Sequence, residues 1–226
     1  MSLDRRQFLQ KSVSGAVLGV AARSALWMAS SPRVQAQTNL TPDQAIQELI
    51  AGNQRFASYQ LTSIDHDLKM LKERTADKQE PFAGVLSCAD SRVPAELIFD
   101  QTIGHIFVTR VAGNLVTPPI IASLEYGVAV LGIRAILVLG HTGCGAVKAA
   151  MKTDTVPGQI SSLYQYLRPA VRQSGGNLDK AIGVNARYQA SLLRTSSTVI
   201  RDALKAETLK VAAGVYNLAT GKVTLL

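Results

Sequence analysis

The chain has 226 residues, 47% hydrophobic and 18% charged, long enough to bury a core without disulfide staples. Its formal net charge is +8, but five of its 24 basic residues and one of its 16 acidic ones fall in the first 36 positions. The remainder is only mildly positive and carries no Lys/Arg run, which argues against nucleic-acid binding, and two cysteines exclude a disulfide scaffold.

The first segment is read as an address. Arg5-Arg6 precedes Gln7-Phe8-Leu9, an uncharged stretch of small and apolar residues follows over 12–22, and Val34-Gln35-Ala36 offers a small-residue cleavage site. A basic region, a short apolar core and such an end describe an export signal over 1–36, of the twin-arginine type that carries folded cargo out of the cytoplasm. The apolar core is too short to span a bilayer, which takes about 20 residues. Residues 37–226 are then expected to form one domain, exported to the periplasm or another extracytoplasmic space, with no membrane contact in the mature form.

In that domain, Thr41, Pro42 and Gln44 supply a capping box and a first-turn proline for a helix whose apolar face is Ala45, Ile46, Leu49 and Ile50. A second helix is predicted over 65–74. Three short apolar runs follow: 81–87, 105–111 and 135–140. Without alternation, such runs suit strands covered on both faces. Helices are predicted over 123–132, over 160–171 as far as Pro169, over 178–194 and over 198–205. The end of the chain alternates and turns at Thr220-Gly221, as a hairpin does. The fold class is α/β: a central, mostly parallel sheet flanked by helices, with an N-terminal helical arm and C-terminal hairpin-like strands.

Chemistry gathers at the strand ends. Cys88 follows the first run, and the third leads into His141 and Cys144. Loops after the carboxyl ends of parallel strands meet on one rim, so these three side chains converge if the two strands are neighbours. Two thiolates and an imidazole favour zinc. A fourth position left to water makes such a site catalytic. Asp90 lies within reach of metal or water, and Arg92 can hold Asp90 through a bidentate pair. A Cys88–Cys144 disulfide is the rival reading for an exported protein, and a closed structural zinc is another.

Residues 87–114 and 136–147 resemble the two signatures of the beta-class carbonic anhydrases, with further similarity over 49–56 and 215–223. The resemblance implies a lyase with one zinc per chain on Cys88, His141 and Cys144, which reversibly hydrates carbon dioxide to bicarbonate and a proton through zinc-bound hydroxide. It implies that Asp90 orients the zinc-bound water while Arg92 keeps Asp90 off the metal. It also implies that Gln101 contacts substrate, commonly from a partner subunit, with a backbone N–H near Gly143, in a homodimer or larger homo-oligomer. A relative on the same scaffold would hydrolyse carbonyl sulfide or carbon disulfide. One subgroup moves the counterpart of Asp90 onto zinc and carries tryptophan where Val85 stands here. Val85 therefore predicts Asp90 on Arg92, although Arg110 matches an arginine of that subgroup's bicarbonate pocket.

Overall fold

The computed structural model describes residues 38–62, 73, 75–152 and 154–226. The export segment 1–36 and nearly all of the second predicted helix, 65–74, lie outside the described residues. The described chain is built on one five-stranded sheet in the order β2-β1-β3-β4-β5. Its strands are β1 (Ala83–Ser87), β2 (Ile106–Arg110), β3 (Ala135–His141), β4 (Lys210–Tyr216) and β5 (Val223–Leu225). Four strands run parallel, and β5 folds back antiparallel on β4 through the turn expected at Thr220-Gly221. Every residue of β1 and β3 is buried, because both faces of the sheet are covered.

Successive strand residues point to opposite faces, and the core divides accordingly. Helix α1 (Pro42–Ala57) lays Ala45, Ile46 and Leu49 on one face, against Val85, Leu137 and Leu139. The opposite face takes Leu86, Ile136 and Val138. They pack under Leu124, Ala186, Ala190, Leu193 and Ile200. The Thr41 capping box forms as read from sequence. After β1 comes the short helix α2 (Ala95–Ile98), which the sequence reading did not anticipate.

Two helix boundaries differ from expectation, both at prolines. Helix α3 spans Pro118–Ala129, not 123–132. Pro118 and Pro119 open it, because first-turn positions need no N–H donor and a proline ring pre-sets the backbone angle there. Helix α4 (Gly145–Ala150) starts directly after Cys144, its N-cap. A 3₁₀ turn at Ile160–Leu163 leads into α5 (Tyr164–Ser174), which runs through Pro169 and ends at Gly175 with φ +61°. Buried Leu167, Ala170 and Ser174 on either side of Pro169 keep the helix going despite one missing backbone bond. Helices α6 (Leu178–Ser196) and α7 (Thr198–Lys205) agree with the reading to within two residues. Ser197 caps α7, and its hydroxyl donates to Glu125 of α3 at 2.6 Å. No helix among the described residues is long and apolar enough to cross a membrane.

α1 also governs the segment after α2. Asn53 donates to the Ile98 carbonyl at 3.2 Å and to the Gly221 carbonyl at 2.8 Å, and accepts from Val223 N at 2.7 Å. Arg55 pairs with Asp100, whose other carboxylate oxygen accepts from Thr62 N. Between them Gly52 lies flat on the Phe99 carbonyl: a Cβ there would sit 1.8 Å from the oxygen and 3.2 Å from Gln101 Nε2. Gly52→Ala therefore has to push α1 off the 98–101 segment. It should cost about 3 kcal/mol, at the upper end for overpacking, read as a lower urea midpoint. An unchanged midpoint would show that the contact is not tight.

Candidate metal centre

The parallel pairing of β1 with β3 aligns Leu86 with Val138, so both strands end on the same rim. Cys88 leaves β1, and His141 is the last residue of β3. Gly143, at φ +65°, turns the chain between His141 and Cys144. A Cβ at Gly143 would meet nothing within 4 Å, so the constraint is on the backbone angle, which glycine adopts at little cost. The outcome is a cluster of Cys88, His141 and Cys144 whose ligating atoms all lie within 4.8 Å of one another. All three residues are buried, at 3%, 0% and 1% exposure.

Both cysteines are free thiols, so the rival disulfide does not form. His141 Nδ1 lies 3.0 Å from the Thr142 carbonyl oxygen, which can only accept. In the neutral ring Nδ1 then carries the proton, and Nε2 presents a lone pair. Nε2 is buried without a hydrogen-bond partner, an arrangement that costs free energy unless the nitrogen serves as a ligand. Two thiols and one pre-aimed imidazole nitrogen fit zinc.

The electrostatics favour a thiolate. Cys88 is held down to about 4 from 9.0, chiefly because the Cys144 thiol donates to it. Burial works the other way, while His141 and the N–H groups of Gly113 and Asp90 add to the lowering. As that donor, Cys144 is pushed up; burial and the Cys88 charge add to this, and the first-turn N–H groups of Ala146 and Val147 oppose it. Burial opposes charge on His141, yet its interactions with Cys88 raise its pKa above the ordinary value.

Asp90 and Arg92 stand beside the cluster as the sequence implied. Arg92 donates Nε to Asp90 Oδ1 at 2.9 Å and Nη2 to Oδ2 at 2.7 Å, and its backbone N–H also bonds Oδ1 at 3.0 Å. This fork holds the Asp90 carboxyl well below the usual carboxylate range. Oδ2 lies 3.8 Å from His141 Nε2, so the carboxylate borders the metal position while its bonds go to Arg92. Arg110 serves the backbone: Nε donates to the Cys88 carbonyl at 2.9 Å and Nη2 to the Asp90 carbonyl at 2.6 Å.

Gln101 is not brought into the cluster by its own chain. Its Nε2 donates to the Phe99 carbonyl at 3.1 Å and reaches Glu48 at 3.4 Å. The sequence reading missed a supporting layer. Gly113 N donates to Cys88 Sγ at 3.3 Å, and Gly113 is itself held by Asn185 of α6. Two amides four residues apart on a buried helix face, Asn185 and Gln189, were the available signal.

The metal-free chain should therefore carry one thiolate at neutral pH. Its ultraviolet thiolate absorbance should persist as pH falls and disappear near 4, the value to which Cys88 is lowered. The sign follows from the lowering: the stabilisation due to this thiolate is complete above 9.0 and is lost as pH falls through about 4. Absorbance that vanishes near the ordinary thiol value would contradict the arrangement.

The carbonic anhydrase family profile matches residues 83–223. A carbonic anhydrase of Mycolicibacterium smegmatis is 35% identical over 195 residues, covering 83% of this chain and 94% of that protein. Carbonic anhydrase 2 of Mycobacterium tuberculosis is 33% identical over 199 residues, with the same coverage. Among solved structures, the Coccomyxa beta-carbonic anhydrase in complex with acetazolamide superposes with a TM-score of 0.65 at 28% identity, covering 80% of this chain and 86% of that one. A tetrameric beta-carbonic anhydrase of Sordaria macrospora shares the fold, with a TM-score of 0.65 at 22% identity over 81% of this chain and 97% of that one. With its Cys-His-Cys cluster and Asp90–Arg92 pair on that fold, the chain belongs to the beta-class carbonic anhydrase family.

Proposed function

We infer that the protein is a zinc-dependent carbonic anhydrase, reversibly hydrating carbon dioxide to bicarbonate and a proton. The observation that carries this reading is the buried Cys88–His141–Cys144 cluster bordered by Asp90 in its fork with Arg92. Cys88, His141 and Cys144 would hold the ion, one per chain. Bound there, zinc would supply Lewis acidity, lowering the pKa of a water from 15.7 to about 7.

The chain's own groups handle the rest. An ionised Asp90 can only accept hydrogen bonds, so a water beside it must turn a proton towards the carboxylate. That fixes where the oxygen lone pair points. Arg92 occupies both carboxylate oxygens, which keeps Asp90 from swinging to the metal position. Arg110 fixes the carbonyls on either side of Ala89 and so sets where Asp90 begins. The surroundings are apolar, with Leu115, Val147 and Leu167 packed around the two cysteines, as suits an apolar gas. Negative charge develops on the substrate oxygens as carbon is attacked, and N–H groups placed there stabilise it. The backbone at Gly143 and the amide of Gln101 are assigned that role, with Gln101 supplied by a partner subunit. The functional unit is accordingly a homodimer or larger homo-oligomer, for which the tetrameric neighbour gives support.

Residues 1–36 are assigned as a twin-arginine export signal on the pattern Arg5-Arg6, the apolar stretch over 12–22 and the end at Ala36. The enzyme then works as a single domain outside the cytoplasm.

Purified protein should contain one zinc per chain and hydrate carbon dioxide in a stopped-flow indicator assay. Faster turnover of carbonyl sulfide than of carbon dioxide would transfer the assignment to a hydrolase. Asp90→Asn should keep its zinc yet lose about 10²–10⁴-fold in turnover, the range for a positioned proton-handling group. Full activity in that variant would remove Asp90 from the mechanism. For the signal, replacing Arg5 and Arg6 together by lysine should retain a reporter fusion in the cytoplasm. Continued export of folded reporter would contradict the twin-arginine assignment.

A further inference from the structure

Behind the cluster lies a buried polar chain that no ligand requires for its own geometry. The loop over 111–117 passes between Cys88 and α6 without regular structure. Gly113 N–H points at Cys88 Sγ, 3.3 Å away, and the Gly113 carbonyl accepts from Asn185 Nδ2 at 2.9 Å. Asn185 Oδ1 accepts from Gln189 Nε2 at 3.0 Å. Gln189 Nε2 also reaches the Tyr166 carbonyl at 3.2 Å, and Gln189 Oε1 accepts from Val116 N at 2.8 Å. Both amides are fully buried on α6.

The ends of this chain fix its direction. The Val116 N–H can only donate and the Tyr166 carbonyl can only accept, so Gln189 has one orientation. Gln189 then dictates the orientation of Asn185, which must present its NH₂ to the Gly113 carbonyl. The loop is gripped on both sides of Asn114, with the ligand-facing N–H on the gripped residue. Gly113 has φ +82°, and a Cβ there would come within 3.2 Å of Leu167 and 3.5 Å of Ala146. The loop is seated against α4 and α5, and α6 sets its register.

We propose that Asn185 and Gln189 are positioning residues for the metal centre: together they hold the Gly113 N–H on the Cys88 sulfur and so set the donor strength of that ligand. The proposal rests on the reading of the cluster as a metal centre. A hydrogen bond to a ligating thiolate draws charge from sulfur, and outer groups that orient ligands typically account for about 10–100-fold in metal affinity. Because the network is buried and closed, loss of one member leaves the others unsatisfied, so both members should matter.

The test uses the full chain with Co²⁺ in place of zinc. Asn185→Leu and Gln189→Leu should each weaken Co²⁺ binding by about 10–100-fold and shift the thiolate-to-cobalt charge-transfer band. Leu193→Ala, a buried change on the same helix away from the loop, should lower thermal stability and leave that band in place. Folded leucine variants with wild-type Co²⁺ affinity and an unmoved band overturn the proposal, as does a band that moves equally in Leu193→Ala. A measurement that needs no variant is cadmium NMR of the wild-type chain. Scalar coupling between bound cadmium and the Gly113 amide proton supports the hydrogen bond, and its absence overturns it. A wild-type chain that gives no thiolate-to-cobalt band removes the metal reading itself and the proposal with it.

Discussion

Parallel pairing of β1 with β3, Leu86 opposite Val138, is the contact on which the site depends. Neither strand carries all the ligands: Cys88 leaves one, and His141 with Cys144 leaves the other. Only the register between the strands makes their separation a fixed quantity. A one-residue slip would turn the shifted strand's side chains to the wrong faces, and the burial of every residue in β1 and β3 makes such a slip costly. Hydrophobic packing on both faces therefore sets the ligand spacing.

The site also divides its charges. Thiol and thiolate share a proton between Cys144 and Cys88, a short distance from a carboxylate that Arg92 keeps ionised. Without Arg92, Asp90 would face Cys88 and His141 as an uncompensated anion beside an anionic ligand set. The guanidinium removes that conflict and prescribes which way the carboxylate faces. Arg110 does the equivalent for the main chain, where its fork reaches two carbonyls separated by one residue. Two arginines thus fix the 88–92 turn, one through a side chain and one through the backbone.

What the sequence made legible was whatever is local. The short, unbroken apolar runs that lead into Cys88 and His141 have the length and make-up of strands covered on both faces, and the Thr41 capping box is written within four residues. The metal ligands followed from those strand ends, and Val85 led to the expectation that Asp90 would face Arg92. The helix start at Pro118 and the passage through Pro169 escaped the sequence for the same reason: a proline's effect depends on its position within the helix and on what that helix packs against. Asn185 and Gln189 could be placed on a helix but not paired with Gly113, because that pairing spans the core. Gln101 shows the reverse case. Its own chain explains its hydrogen bonds, while its assigned role belongs to a second copy.

Deep burial of the three ligands has a kinetic consequence. An ion held by Cys88, His141 and Cys144 has no solvent-facing ligand that a chelator could seize first. A chelator would meet such an ion only at its open fourth position, and full extraction would wait for the chain to open around the ligands, one of which, Cys144, caps the six-residue helix α4. Release would then depend on local opening of that short segment as well as on the strength of the metal–sulfur bonds. Lifetime and affinity become separate properties, and substitutions along α4 can change how long the metal stays without changing how tightly it is held.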